Sequence, residues 1–513
     1  MESEKRSRFM GTAIGIDLGT SNSAAAIYRK GKVETIPIDG RKIIPSVISF
    51  KENGSVLVGN TAKSRLYIDP LNSIASSKRY MGDPDKIYEI RNNMLTPVDA
   101  AKEILQKIKR EASKYLGEEV TEAVITIPAY FTSEQREATK KAGEQAGLKV
   151  LRLLPEPTAA AIAYGLDKER NQTIMVYDLG GGTFDVSILK VEGNSFKVVA
   201  VDGDAMLGGD DFDDEIVQYV LGKIQQTNGV SALKQGSHSL QRLKEAAEEA
   251  KKELSESDIT DITIPDIFGV HIDEELSIDT FNERIQPLLE RTIEKIQEVL
   301  KAAELSKRDI SRVILVGGSS RMRAVQEIVT QQIKKPFIAD NVDEIVAQGA
   351  AIMAANLSAP DLDTAPVPIE VENVTAHSLG IAMYLDDVYS VVHLIKRNSA
   401  VPVIGATIGS TMEPYQKAVR LKVYRTESTE PNDKDILGEL LLEVTPKQDP
   451  VAVVAIFELN EDGILVLSSA EIPTSSPLVK EYAETDQINY AKLASMIENS
   501  QIKLKNVTID TNK

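Results

Sequence analysis

Val176-Tyr177-Asp178-Leu179-Gly180-Gly181-Gly182-Thr183-Phe184-Asp185 is the stretch on which the reading of this chain turns. An apolar run ends in an Asp, and three successive glycines follow. A hairpin turn needs one or two glycines for positive φ. A third costs backbone entropy without structural return, so it points to bare N–H groups converging on an anion such as a phosphate. The Asp beside it suits a hydrated Mg²⁺ facing that phosphate. Two further strand ends repeat the device. Ile14-Gly15-Ile16-Asp17-Leu18-Gly19-Thr20-Ser21-Asn22 carries the same Asp, and Ile314-Leu315-Val316-Gly317-Gly318-Ser319-Ser320-Arg321 has the glycines alone. Three such turns, two nearly repeating each other, imply a nucleotide held between two related lobes. Neither a G-x-x-x-x-G-K-[ST] loop nor a strand-GxGxxG-helix unit occurs.

The chain has 513 residues and a mass of 56.1 kDa, too much for one core, so two or more domains are expected. Its 42% hydrophobic and 27% charged residues are ordinary for a soluble globular protein. No apolar run approaches the ~20 residues that span a bilayer. The start, Met1-Glu2-Ser3-Glu4-Lys5-Arg6-Ser7-Arg8, has mixed charge and no apolar segment behind it, unlike a secretory signal. The absence of cysteine excludes disulfides, thiolate metal sites and cysteine nucleophiles, and four His argue against zinc. A net charge of −18 argues against a nucleic-acid partner, since such affinity rests on cationic contacts to phosphate. The expectation is a cytoplasmic chain with neither nucleic acid nor membrane as partner.

Short strands are expected at Ala13–Asp17, Ser23–Tyr28, Val33–Pro37, Val47–Phe50 and Val56–Val58. Val98, Ala101, Ile104, Leu105, Ile108 and Ala112 give a helix over 97–116. A buried strand at 123–127 ends at Pro128, and a helix follows to about Gly147 with Thr132 or Ser133 as N-cap. Near Thr173 the pattern restarts: strands at 173–178, 183–190 and 195–202, helices at 209–226, 237–254 and 278–303, then strand 312–316, a helix to about 333 and another at 343–356. This is a duplicated α/β arrangement with a cleft for a nucleotide between its halves. Prolines 360, 366 and 368 mark a boundary at 357–370. Beyond it, alternating strands from Val374 to Ser469 read as an antiparallel β-sandwich. A short amphipathic helix at 489–499 and a strand at 502–509 follow.

Glu156-Pro157-Thr158-Ala159-Ala160-Ala161-Ile162-Ala163-Tyr164-Gly165, Gly208-Gly209-Asp210-Asp211-Phe212-Asp213, Lys251-Lys252-Glu253-Leu254-Ser255 and Asn341-Val342-Asp343-Glu344 join the glycine turns in an order that resembles the seventy-kilodalton heat-shock (DnaK-like) chaperones. The resemblance implies a duplicated actin-like (ribonuclease-H-like) two-lobed ATPase domain over 12–356, a linker at 357–373 and a small β-sandwich substrate-binding domain over 374–513. It implies ATP/ADP and Mg²⁺ as ligands, with K⁺ as a further ion. Gly19-Thr20-Ser21-Asn22 and Gly180-Gly181-Gly182-Thr183 would then cradle the phosphates from opposite lobes, with Gly208, Gly209, Gly317, Gly318 and Ser319 beside them. Asp17, Glu156, Asp178 and Asp185 would surround a hydrated Mg²⁺. Lys78 would orient water and stabilise γ-phosphoryl charge, and Thr183 would offer its hydroxyl, so that catalysis is positioning and electrostatics. Glu248, Lys251 and Ser255, at i, i+3 and i+7 on one helix, would hydrogen-bond adenosine; Lys252 and Arg321 would flank the base, near Asp343. Pro128 and Arg136 match a pair that relays nucleotide state. Outside this context, Lys78 reads as a surface lysine, the 242–255 helix as a solvated face and Pro128 as a strand terminator.

The chain departs from that pattern in four places. Residues 83–96 stand where the family has a longer peripheral subdomain. The linker Pro368-Ile369-Glu370-Val371-Glu372-Asn373 carries acids in place of leucines, which lowers the apolar area available for docking. The groove would be lined by Ile381, Val419 and Leu421 under an arch of Tyr384 and Met412. The helical lid is not expected in the residues after Ser469. Two functions follow. One is an ATP-dependent chaperone that binds extended apolar or unfolded peptide; the other is an ATP-switched protein whose β-domain serves a dedicated partner. A sugar kinase or filament on the same fold leaves the β-sandwich unexplained. Arg152 matches a basic position used for J-domain docking, but Pro155 replaces the usual Asn nearby; a J-domain co-chaperone and a nucleotide exchange factor are the partners the resemblance implies.

Overall fold

The computed structural model describes residues 12–165, 171–228, 238–267, 270–339, 341–358, 368–385, 388–507 and 509–510. The N-terminal stretch 1–11 and positions 359–367 of the expected linker lie outside the described residues. The chain divides into two compact units, Met1–Glu372 and Asn373–Lys513.

The first unit is a repeated topology. One six-stranded sheet runs Lys149–Pro155, Val120–Ile127, Thr12–Leu18, Asn22–Arg29 and Lys32–Thr35, with Ile43–Pro45 also paired to Asn22–Arg29. The other runs Phe337–Ile338, Arg312–Val316, Gln172–Leu179, Phe184–Glu192, Ser195–Asp204 and Glu370–Glu372. In each, the central strand has an antiparallel hairpin partner on one side and a parallel crossover partner on the other. Asp17 and Asp178 each occupy the penultimate residue of their central strand, immediately before a glycine turn.

Local signals account for the elements expected from spacing. Helix Pro97–Leu116 starts from a Thr96–Asp99 capping box and stops at Gly117 in the left-handed region. Thr132, with Gln135 reciprocating, caps helix Ser133–Gln145. Helix Glu156–Gly165 was not foreseen: it is apolar on nearly every side, so no stripe betrays it. Hairpin Ile259–Ile267 with Val270–Ser277 is also new. Residues 83–96 form a small hairpin, Tyr88–Ile90 with Asn93–Leu95. Arg91 pins it to the Asp69 carboxylate and, through Nε, to the Phe50 carbonyl at 3.1 Å.

The two halves interlock through helices. Helix Ile345–Ser358 lies on Thr12–Leu18 and Asn22–Arg29 of the first sheet, while helix Glu156–Gly165 lies against the second. They cross at Gly349, where a Cβ would stand 1.8 Å from the Ala159 carbonyl oxygen. Backbone therefore rests on backbone at the junction of the lobes.

Glu370–Glu372, expected as linker, is instead the parallel edge strand of the second sheet, in register Ser195↔Glu370, Phe196↔Val371, Lys197↔Glu372. Lys197 Nζ lies 2.6 Å from Glu372. Ladder hydrogen bonds and a cross-strand ion pair take the place of buried leucines here.

The second unit pairs a five-stranded sheet (Val388–Ile395, Leu379–Leu385, Ala418–Arg425, Ile436–Glu443, Ile509–Asp510) with a four-stranded one (Val403–Ser410, Ala452–Leu459, Leu465–Ile472, Lys505–Val507). Ile381, Val423, Leu440 and Phe457 belong to one apolar cluster. Val454, Ile456 and Ile472 of the four-stranded sheet form another with Leu478, Leu493 and Met496 from two helices, Pro477–Thr485 and Tyr490–Glu498. Only the latter helix is expected from spacing; the former begins on the Ser476 cap with Pro477 at its first position. Tyr482 and Tyr490 reach strand Val403–Ser410, through the Thr407 hydroxyl at 2.8 Å and the Ala406 N–H at 3.2 Å. No described helix is long and apolar enough to cross a membrane.

Gly349→Ala tests the crossing. The added methyl meets backbone that cannot rotate away, so the first unit should lose about 1–3 kcal/mol. Calorimetry should show its transition lowered while that of the second unit stays in place; an unshifted first transition would mean that the helices separate freely.

Candidate functional site

The glycine turns form one scaffold. Gly180 N–H donates to Thr183 O (3.0 Å), Gly209 N–H to Gly180 O (2.9 Å) and Asp210 N–H to Gly181 O (2.7 Å). Ser319 Oγ donates to Gly180 O at 2.9 Å, and Lys251 Nζ to Gly209 O at 2.9 Å. Turns 180–183, 208–210 and 317–319 are thereby tied together. Gly317 has φ +80°, and a Cβ there would stand 2.4 Å from the Leu179 carbonyl oxygen. Turn-on-turn packing is thus a second reason for these glycines beside ligand approach. From the other lobe, Ser21 Oγ lies 1.8 Å from where a Gly181 Cβ would stand, and Thr20 Cγ2 lies 2.5 Å from one at Gly182. The glycine turns of the two lobes face each other directly. Gly19 closes its own turn against Asn22 O, Asn22 is exposed at the start of its strand, and Gly318 looks toward Asp343 Oδ1.

Lys78 sits in the 3-10 turn Ser77–Tyr80, only 5% exposed, so it is no surface lysine. Its Nζ donates to Glu156 Oε1 at 2.5 Å. Glu156, Asp178, Thr183 and Asp185 are buried as well. Asp17 accepts from Thr126 Oγ1 at 3.0 Å, and Asp185 from the Tyr130 N–H at 2.9 Å. One ammonium thus faces several carboxylates. Burial first, then the Glu156 charge, pushes both Asp17 and Asp185 up to about 7. Burial, then Glu156, Asp185 and Asp17, holds Asp178 well above the carboxylate range. Among the described residues no three acids converge tightly enough to ligate one ion directly. The carboxylates that line the site are hard oxygen donors, the type that Mg²⁺ and Ca²⁺ take.

Each of the expected adenosine residues meets partners within the protein. Helix His238–Glu253 ends before Ser255, whose hydroxyl folds back to Lys251 O at 3.2 Å. Lys251 turns to the glycine-turn scaffold and to Asp213 at 2.8 Å. Glu248 reaches Lys63 of the other lobe at 2.8 Å and Lys252 at 2.9 Å. Burial raises the Glu248 pKa, but these lysines outweigh it and leave the group at about 2. Arg321 pairs with Asp343 at 2.7 Å. Arg136, buried, donates Nε to Phe131 O (2.9 Å) and Nη2 to Ala129 O (3.0 Å), bracing the loop that starts at Pro128.

Besides Lys63–Glu248, further lobe-spanning contacts were not foreseen, among them Ser76 Oγ to Asp210 at 2.7 Å and Arg79 to Asp211 at 2.5 Å. Both acids stand in the quoted Gly208-Gly209-Asp210-Asp211 motif, and Arg79 neighbours Lys78. In the second unit, Ile381 and Val419 lie in the apolar core with Leu421 packed partly against it. Tyr384 and Met412 are 68% and 90% exposed.

A family model described as Hsp70 protein matches residues 13–507. The match runs through both units, and the chain belongs to the Hsp70 family.

The raised acids set a pH dependence. The folded state keeps protons that the unfolded chain releases near pH 4, so the ligand-free first unit loses stability as pH rises from about 4 to about 7. Asp185→Asn removes one such acid. Its first transition should lie a few degrees above wild type at pH 8, the gap closing toward pH 4. A gap independent of pH in calorimetry would show that folding leaves the Asp185 pKa at its unfolded value.

Proposed function

We propose that this Hsp70-family chain binds ATP between the lobes of its first unit and hydrolyses it to ADP and phosphate, coupling the cycle to an extended apolar peptide on the second unit. The observation that carries the reading is the buried Lys78–Glu156 pair beside two opposed glycine turns. N–H groups of Gly19–Asn22 and Gly180–Gly182 bind the phosphates. Mg²⁺, when bound, neutralises phosphoryl charge, and Asp17, Asp178 and Asp185 would hold it mostly through water. Lys78, oriented by Glu156, positions the attacking water and stabilises charge on the γ-phosphoryl group; Thr183 donates its hydroxyl to the same group. Glu248, Lys251 and Ser255 serve the nucleoside, with Lys252, Arg321 and Asp343 at the base. Pro128, Arg136 and the docked strand 370–372 carry nucleotide state outward, and a J-domain co-chaperone and an exchange factor act on that cycle.

A second reading, a switch serving one dedicated partner, has a specific observation in its favour. Ile381 and Val419 are core residues, which leaves mainly Tyr384 and Met412 to meet a ligand.

Lys78→Ala should leave ATP binding near wild type and cut single-turnover hydrolysis by ~10²-fold or more; an unchanged rate would sink the assignment. Fluorescence anisotropy of an apolar heptapeptide separates the two readings. A chaperone should bind it in the micromolar range, about −8 kcal/mol, and lose ~10-fold on Tyr384→Ala with Met412→Ala. No binding with ATP or ADP, in a protein that hydrolyses ATP, selects the dedicated partner.

A further inference from the structure

We propose that Phe131 is the positioning residue for Lys78, holding its ammonium group through the face of the aromatic ring. The inference rests on the ATPase reading and deepens it. Lys78 is nearly enclosed, and Glu156 takes one of its three N–H donors. A buried ammonium needs compensation on its other sides as well. The Phe131 ring centroid lies 5.7 Å from Lys78 Nζ, within reach of a cation–π contact. Phe131 is itself 2% exposed, so solvent screens neither partner.

The ring is held from behind. Phe131 lies between strand Val120–Ile127 and helix Ser133–Gln145. Its N–H donates to Pro128 O at 3.2 Å, and its carbonyl accepts from Arg136. The neighbouring Tyr130 N–H meets Asp185. One short loop therefore touches Lys78 with a side chain and Asp185 with its backbone, and Arg136 braces it.

The test uses the full chain, with single-turnover hydrolysis and ATP binding measured in parallel. Phe131→Leu keeps an apolar side chain but removes the ring quadrupole. It should slow hydrolysis ~5- to 30-fold with the ATP Kd within about twofold of wild type, and Phe131→Tyr should restore most of the rate. Pentafluorophenylalanine at 131 inverts the quadrupole at nearly constant shape, so it should slow hydrolysis even where the leucine variant folds poorly. Combined with Lys78→Ala, Phe131→Leu should add no further loss. An unchanged rate with the fluorinated ring, parallel loss of binding and rate, or the same slowing on top of Lys78→Ala overturns the proposal. A wild-type rate in Lys78→Ala alone overturns the role given to Lys78, and with it the proposal, whereas no hydrolysis by the wild-type chain overturns the ATPase reading instead.

Discussion

Two helices that have exchanged sheets hold the first unit together. Glu156–Gly165 follows the strands of the first sheet in sequence yet packs against the second; Ile345–Ser358 does the reverse. Their crossing tolerates no side chain at Gly349, so the separation of the sheets is fixed by backbone contact and not by adaptable side chains. Glu156 opens one of these helices and thereby enters the site at a fixed depth. Asp17 and Asp178, at matching positions on their central strands, complete a symmetric pair of acids facing one cleft.

That symmetry has an electrostatic cost. Acids on strands from both halves meet around a single ammonium, and burial denies them the water that would stabilise their charges. Carboxyls raised in this way spend folding stability above pH 4, which is the mark of a site shaped for something other than stability. In the proposed function the glycine turns add the complementary part, since turns tied by their own hydrogen bonds need little rearrangement to meet a ligand.

Legibility in the sequence followed the range of the interactions. Helix Pro97–Leu116 is bounded by Thr96 and Gly117, both local signals, and its expected bounds coincide with those found. The glycine turns are legible for the same reason. Glu156–Gly165 leaves no periodicity because helix, sheet and second helix bury it on most sides. Ser255 fits a helical spacing of seven and lies in the turn just past the helix end, where its hydroxyl still bonds the carbonyl four residues back. Ser76–Asp210 and Arg79–Asp211 join residues far apart in the chain, and no short motif encodes such a pair. In the second unit, alternation located the strands but could not say which apolar residues face a ligand and which the core: Ile381 and Met412 look alike in sequence and differ completely in exposure.

The helices Pro477–Thr485 and Tyr490–Glu498 have a consequence for the order in which the second unit assembles. They are inserted between strand Leu465–Ile472 and its partner Lys505–Val507, which pair at Ser469↔Lys505. That pairing closes a long loop, and loop closure is paid in chain entropy before any ladder bond forms. Once the helices have settled on the sheet face and drawn Ile502 into the same cluster, the remaining span is short and the final strand is delivered close to its edge. Docking of these helices thus lowers the closure entropy that the edge strand Lys505–Val507 must overcome, although the helices belong to neither sheet.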